Sequence, residues 1–286
     1  MRQTLATAPI YETIIMEYRC ALTIAGSDSV GGAGIQADIK TMSALGVYAA
    51  SAITAVTVQN THGVYGIEAI RPEIVGGQIS AVMDDIHPTA VKIGMVNDAE
   101  TIHAIAKTLG RYKDVAVIID PVMVSTSGCR LLQEDALQVF RTELMPLATL
   151  LTPNVPEAEI LSGIKIETVD DMDRAANKIC NEAGCAVLVK GGHLDGNTKT
   201  DILYTDGQRT ATYEAQTVNT RNTHGTGCTL SSAITAHLAL GHTMADAIRL
   251  AKTYLYKALE AGKDVEIGRG HGPVNHFFNP HPYYTK

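Results

Sequence analysis

Two glycine-rich runs are the segments of this sequence best suited to hold an anion. The more specific is Asn222-Thr223-His224-Gly225-Thr226-Gly227-Cys228, which leads directly into the apolar helical period Thr229-Leu230-Ser231-Ser232-Ala233-Ile234. Glycines admit positive φ and let backbone come close to a ligand. The first N–H groups of a helix have no partner within it and carry partial positive charge, so a helix start preceded by glycines suits a phosphoryl group. By itself the run also fits an ordinary helix start with flexible glycines. The other run, Gly26-Ser27-Asp28-Ser29-Val30-Gly31-Gly32-Ala33-Gly34, likewise joins an apolar strand to a helical period. Neither run is GxxxxGK[ST], and no GxGxxG follows a strand, so P-loop and dinucleotide-type binding are not indicated.

Something must position these runs, and the hydrophobic periodicity says what. Strands are expected at Ala21–Ala25, Val47–Val58, Ala90–Ile93, Val115–Asp120, Leu150–Thr152 and Ala186–Lys190. Helices are expected at Ile35–Leu45 with Gly46 behind it, then at 73–86, 98–110, 133–144, 156–162, 169–184, 226–240 and 243–261. Gly63–Ile70 reads as a small flap, and two polar strands turn at Asp206-Gly207. Alternating strand and helix means an α/β fold, a doubly wound, mostly parallel sheet with helices on both faces. Ligands of such sheets collect at the carboxyl ends of the strands. Here those ends include Gln59-Asn60, Lys92-Gly94-Met95, Asp120-Pro121-Val122-Met123, Thr152-Pro153-Asn154 and Lys190-Gly191-Gly192. With the first glycine run, six unusual strand ends would share one rim.

Composition bounds the rest. The 286 residues carry 45% hydrophobic residues but only 3 Phe and no Trp, so the core must be built of Ala, Val, Ile, Leu and Met. The net charge of −7, with no basic stripe, argues against nucleic acid. Five cysteines without CxxC spacing (Cys20, Cys129, Cys180, Cys185, Cys228) predict neither a disulfide framework nor structural zinc, and fit a reducing, cytoplasmic setting. No apolar run reaches the length of a membrane span. Residues 1–15 show no sustained period and read as a disordered leader, with Met16 as an alternative start and residues 16–286 as one domain.

The segments ALTIAGSDSVGGAGIQADIKT (21–41), ITAVTVQNTHGV (53–64), KIGM (92–95), DPVM (120–123), LTPNVPEAEIL (151–161), LVKGGH (188–193), NTHGTGCTLSSAI (222–234) and GRGHGPVNHFF (268–278) carry a resemblance to the hydroxymethylpyrimidine/phosphomethylpyrimidine kinases of thiamine biosynthesis, within the ribokinase-like superfamily. It runs from about residue 20 to the end. The resemblance implies ATP-dependent phosphorylation of 4-amino-5-hydroxymethyl-2-methylpyrimidine and then of its monophosphate, with Mg²⁺ as cofactor and a homodimer as the assembly.

The resemblance also implies roles. Gly225, Thr226, Gly227 and Cys228 would form the anion hole, with Cys228 where most of the superfamily has an aspartate base. A cysteine at a helix start can have a depressed pKa and hold thiolate. Cys228 is therefore open to two roles, as a base or as a positioning group with the proton leaving through phosphate or water. Asn154 and Glu157 would organise Mg²⁺ with Asp120, and Lys190 with Asn154 would meet the ATP phosphates. For Glu157 a helix-dipole acid, for Asp120 a cap and for Lys190 a snorkelling surface chain are the plainer alternatives. The substrate would meet Gly26, Ala33, Asp38, Thr57, Gln59, Met95 and Val122. Gln59 offers an amide donor and acceptor to an aminopyrimidine edge. His224 is a candidate to orient the anion loop, while His271 and His276 read as structural or exposed. Pyridoxal kinase is the alternative within the superfamily, and a ligand-binding regulatory domain the alternative outside catalysis.

Overall fold

Unbroken apolar runs make the central strands. β1 (Cys20–Ser27) is buried at all six inner positions, and β4 (Ala90–Ile93) is buried throughout. β5 (Ala116–Ile119), β6 (Leu150–Leu151) and β7 (Ala186–Lys190) follow the same rule. Such strands have no polar face to offer water and need cover on both sides. The computed structural model describes residues 16–124, 131–133, 135–192 and 196–286. The expected leader 1–15 and His193 of the LVKGGH segment lie outside these residues.

Among the described residues nine strands form one sheet, in the order β3-β2-β1-β4-β5-β6-β7-β8-β9. β2 (Tyr48–Asn60), β1, β4, β5, β6 and β7 run parallel. β3 (Gly63–Ala69) is the expected flap, added antiparallel to β2, and β8 (Thr198–Thr205) with β9 (Gln208–Gln216) extends the other edge antiparallel. Thr205 pairs with Gln208 across Asp206 (φ 52°) and Gly207 (φ 70°), the two-residue turn that Asp-Gly foretold. The chain winds outward from β1 to β2 on one side and from β4 onward on the other. The switch point, where a crevice must open, therefore lies between β1 and β4.

Successive residues of a strand divide between two cores. Leu22, Ile24, Val91 and Ile93 pack against α2 (Pro72–Asp85), α3 (Ala99–Leu109), α5 (Val155–Ser162) and α6 (Val169–Ala183). Ala21, Ala90, Ile118, Leu150 and Leu188 pack against α1 (Gly34–Ala44), α7 (Thr226–Ala239) and α8 (Met244–Gly262). Helix ends follow local chemistry. Asn154–Glu157 and Thr168–Asp171 make reciprocal capping boxes, and Gly163 and Gly184 close the same helices in the left-handed conformation. The helix expected over 133–144 differs. Only Ala136–Val139 is α-helical (α4), followed by a wide π turn at Phe140–Leu144 and a tight turn at Met145–Leu147. Pro146 lacks an N–H for the α pattern and its ring crowds the preceding turn, so the ladder loosens ahead of it. The two ends of the described chain meet: Arg19 N–H donates to Tyr284 O, and Lys286 N–H to Glu17 O. Among the described residues no helix is long and apolar enough to cross a membrane.

Candidate active site

The carboxyl ends of the parallel strands and the starts of α1, α5 and α7 surround one cavity of about 810 Å³. Of the residues singled out in the sequence, Gly26, Ala33, Thr57, Gln59, Met95, Asp120, Val122, Asn154, Glu157, Lys190 and Gly225–Cys228 line it.

The start of α7 is the centre of the site. Gly225, at the N-cap, has φ +78°, and a Cβ there would lie 1.8 Å from Gly32 O. Only glycine lets the two glycine runs pack backbone to backbone at this point. Gly34 does the same in the first run, where φ is +54° and a Cβ would lie 2.2 Å from Gly26 O. Gly225 has no side chain to cap the helix; Thr226 N–H turns back to Thr223 O at 3.3 Å, and the Gly227 and Cys228 N–H groups that follow are the ones left for a ligand.

An ion-pair cluster stands beside that helix start. Lys190 Nζ donates to Asp120 Oδ1 at 2.8 Å, and both side chains are nearly buried. This rules out the snorkelling surface lysine. A Cβ on Gly227 would be 3.3 Å from Asp120 Oδ2 and 3.5 Å from Lys190 Nζ, so helix start, cation and carboxylate converge. Glu157 accepts from Asn154 N–H at 2.8 Å, and Asn154 Oδ1 accepts from Glu157 N–H at 2.9 Å. The capping role and the cavity-lining position thus coexist. Burial, with Asp120 adding to it and Lys190 opposing, pushes the Glu157 carboxyl up to about 7. Burial works against the Lys190 charge, but Asp120 and Glu157 outweigh it and its pKa is raised. Among the described residues no three His, Cys, Asp or Glu side chains are grouped to hold a metal. Two carboxylates completed by water and phosphate oxygens are the usual hold on Mg²⁺. Asp120 and Glu157 would supply that hard donor set, and a divalent cation there would offset the burial that disfavours the Glu157 carboxylate.

The other end of the cavity is small and apolar. Met95, Leu131 and Ala55 form a separate cluster joined by Val122 and Ile67. Gln59 stands over it, half-buried. Thr57 Oγ1 lies 3.2 Å from Gln59 Oε1 and 3.0 Å from Ser27 O, with one proton to share. Gln59 Nε2 is 3.4 Å from His224 Nε2. That ring nitrogen is also 2.9 Å from Asp28 Oδ2, and the carboxylate claims its N–H. His224 therefore has no lone pair there for Gln59, whose amide is left to a ligand.

Three expectations need correcting. Asp38 is not on the cavity wall. It is fully buried, accepts from Lys92 Nζ at 2.8 and 3.0 Å and from Thr23 Oγ1, and receives the Ser232 hydroxyl of α7. A carboxylate on the inward face of α1 meets the sheet, not the ligand. Lys92, counted at the rim, is equally buried beneath it. Burial opposes its charge, yet the Asp38 contact wins and raises its pKa. Cys228, for which a thiolate base was one of two open roles, is pushed up to about 11. Burial is the main cause and outweighs Lys92; Asp38 and Asp120 add to it. Cys228 still lines the cavity and is partly accessible, but dense protein surrounds its sulfur. At neutral pH it is a thiol.

Sequence reasoning missed Asp28. Its carboxylate gathers Val30 N–H (2.9 Å), Gly32 N–H (3.0 Å) and Ala33 N–H (2.8 Å), shaping the first loop, and then binds His224 of the second. Its pKa is lowered: burial works against ionisation, but His224 and the loop N–H groups prevail. An acid inside a glycine run was the available signal. Asp201 and Lys252, an ion pair on the cavity wall near α8, gave none, since β8 and α8 are far apart in sequence.

The model of the phosphomethylpyrimidine kinase family matches residues 28–275. A hydroxymethylpyrimidine/phosphomethylpyrimidine kinase of Rhizobium meliloti (strain 1021) is 53% identical over 258 residues, 90% of this chain and 96% of that one. The crystal structure of a phosphomethylpyrimidine kinase from Clostridium difficile 630 is 48% identical, with a TM-score of 0.74 over 84% of this chain and 99% of that one. An ADP complex of a Bacillus subtilis pyridoxal kinase is 37% identical, with a TM-score of 0.83 over 92% of this chain and 98% of that one. The chain belongs to the phosphomethylpyrimidine kinase family.

Proposed function

We propose that the chain transfers the γ-phosphoryl group of ATP to the hydroxymethyl oxygen of 4-amino-5-hydroxymethyl-2-methylpyrimidine, and then phosphorylates the monophosphate so formed, in thiamine biosynthesis. The observation that carries this reading is the uncapped start of α7. It lies between a cation–carboxylate cluster at one end of the cavity and an apolar pocket under a free amide at the other.

In the reaction the substrate oxygen attacks the γ-phosphorus in line, the bond to ADP breaks, and the alcohol proton leaves to a phosphate oxygen or water. Gly227 and Cys228 N–H groups and Lys190 face the charge that develops on the transferred group, so the work is positioning and electrostatics. Mg²⁺, when bound by Asp120 and Glu157, neutralises phosphate charge. Cys228, a thiol with a pKa of about 11, is assigned to positioning rather than proton removal. Met95 and Val122 flank the flat ring and Gln59 reads its amino edge. In the second step the nucleophile is already an anion and needs no base. The same reading includes a homodimer in the cytoplasm; light scattering on the purified chain tests the assembly.

The 37% identity to a pyridoxal kinase supports one second reading, phosphorylation of pyridoxal. A coupled assay of ATP consumption with the hydroxymethylpyrimidine, its monophosphate, pyridoxal and a sugar decides. Turnover of the first two, well above pyridoxal, is expected. Preference for pyridoxal would overturn the pyrimidine assignment, and no turnover with any would return a ligand-binding role.

A further inference from the structure

The glycine-rich segment near the carboxyl end has no part in the chemistry just described, yet it runs between two walls of the site. Gly270 N–H donates to Thr61 Oγ1 at 3.0 Å and His271 N–H to Thr61 O at 2.9 Å. Thr61 sits in the β2–β3 turn, two residues after Gln59. A Cβ on Gly270 would lie 2.1 Å from Thr61 O, so contact here is backbone to backbone. Further along, Gly272 O accepts from His224 N–H at 3.1 Å, and Pro273 pairs with His224 as an isolated bridge. Beyond it, His276 Nε2 lies 3.1 Å from Thr229 Oγ1. The Thr229 hydroxyl is committed to Gly225 O at 2.8 Å, so its oxygen must accept from His276 Nε2–H, which fixes the neutral tautomer. His276 is only 5% exposed, and its carbonyl accepts from Tyr254 OH at 2.6 Å.

We propose that the strap Gly268–His276 is a positioning element of the active site, holding the turn beside Gln59 and the loop ahead of α7 at a fixed separation, with His276 setting Gly225 through Thr229. This rests on the kinase reading for its kinetic consequences only. Gly225 is held in a left-handed conformation against Gly32, and its carbonyl accepts from both the N–H and the hydroxyl of Thr229, so the orientation that His276 gives this hydroxyl bears on its place. A displacement of about 1 Å at such a point costs on the order of 10²-fold in rate.

The test uses the full chain with His276→Leu, His276→Gln and Gly270→Ala. Kinetics are measured for ATP and the hydroxymethylpyrimidine, and amide exchange over Gly225–Thr229 without ligand. His276→Leu should lower kcat by ~10–100-fold and leave both KM values within about threefold. Gln carries an amide that can donate as Nε2–H does, and should restore most of kcat. Gly270→Ala should raise KM for the pyrimidine and leave KM for ATP. Exchange should quicken locally in His276→Leu and not in His276→Gln. The proposal is overturned if Leu and Gln lower Tm alike while kcat stays at the wild-type value. If His276→Leu does not fold, an equal rise of both KM values in Gly270→Ala overturns it. An inactive wild type would sink the kinase reading alone, because the exchange comparison of the two His276 variants still decides for or against the strap.

Discussion

Gln59 and Cys228 show how far one residue can be read. The amide of Gln59 stood out in the sequence as a candidate specificity group because a polar side chain closes a strand of β-branched and small residues. The structure adds the reason it is available, since His224 Nε2 gives its N–H to Asp28 and has no lone pair left to accept from the Gln59 amide. Gln59→Met should shift the ratio of kcat/KM from the hydroxymethylpyrimidine toward pyridoxal by about tenfold. The estimate follows from an unpaired buried amide costing roughly 1–3 kcal/mol against a pyridine, and a shift under about threefold would remove this role. For Cys228 the sequence showed a helix start, which lowers a thiol pKa, but not the burial that raises it, and burial wins. Site-resolved alkylation with iodoacetamide should therefore be slow at pH 7 and climb steeply only above about pH 10. A rate plateau reached below pH 8 would restore the thiolate base.

At the scale of elements, most boundaries were legible because glycine and capping residues mark them: Gly46, Gly163, Gly184 and the Asp206-Gly207 turn all sit where a helix or strand stops. The expected 133–144 helix was not, because its apolar period is intact and Pro146 acts from beyond its end. What joins the elements was also hidden. Asp38 and Lys92, 54 residues apart, form a buried pair that ties α1 to β4, with Ser232 bringing in α7. Asp38→Ala should cost about 3–5 kcal/mol by leaving the Lys92 charge uncompensated. Asp38→Ala with Lys92→Met should recover much of it, as denaturant melts would show. Gly225→Ala faces both a left-handed backbone and a carbonyl at 1.8 Å, so it should lower kcat far more than a surface Gly241→Ala, with the difference visible in single-turnover rates.

For the whole molecule, the sheet order and the two cores follow from the alternation of apolar strands and helices, which is why the fold class was within reach of the sequence. Histidine burial was not. His237 and His276 are both pushed down to about 4 by burial, with His242, Arg249 and His281 adding at the first and Lys40 and His224 at the second. His237 Nδ1 has no hydrogen-bond partner in the described protein. Both residues are neutral when folded, while the unfolded chain takes up protons near pH 6.5. Stability is therefore full above about pH 6.5 and lost as pH falls toward 4, by on the order of 3 kcal/mol per residue. Urea melts at pH 7, 6, 5 and 4.5 should show this slope, and His237→Leu should reduce it by roughly half. A slope unchanged in that variant would assign the acid sensitivity elsewhere.

The pairing of Arg19 with Tyr284 and of Glu17 with Lys286 has a consequence for engineering. Because the described residues begin and end side by side, a chain started at Met16 can be sewn there by a short linker and cut elsewhere. Cutting at the Asp206-Gly207 turn, just before the exposed Asp206, would begin the new chain at β9 and end it at β8, with every strand keeping its neighbours. Such a circular permutant should fold and retain the cavity, because strand adjacency, and not the point at which translation begins, defines this sheet.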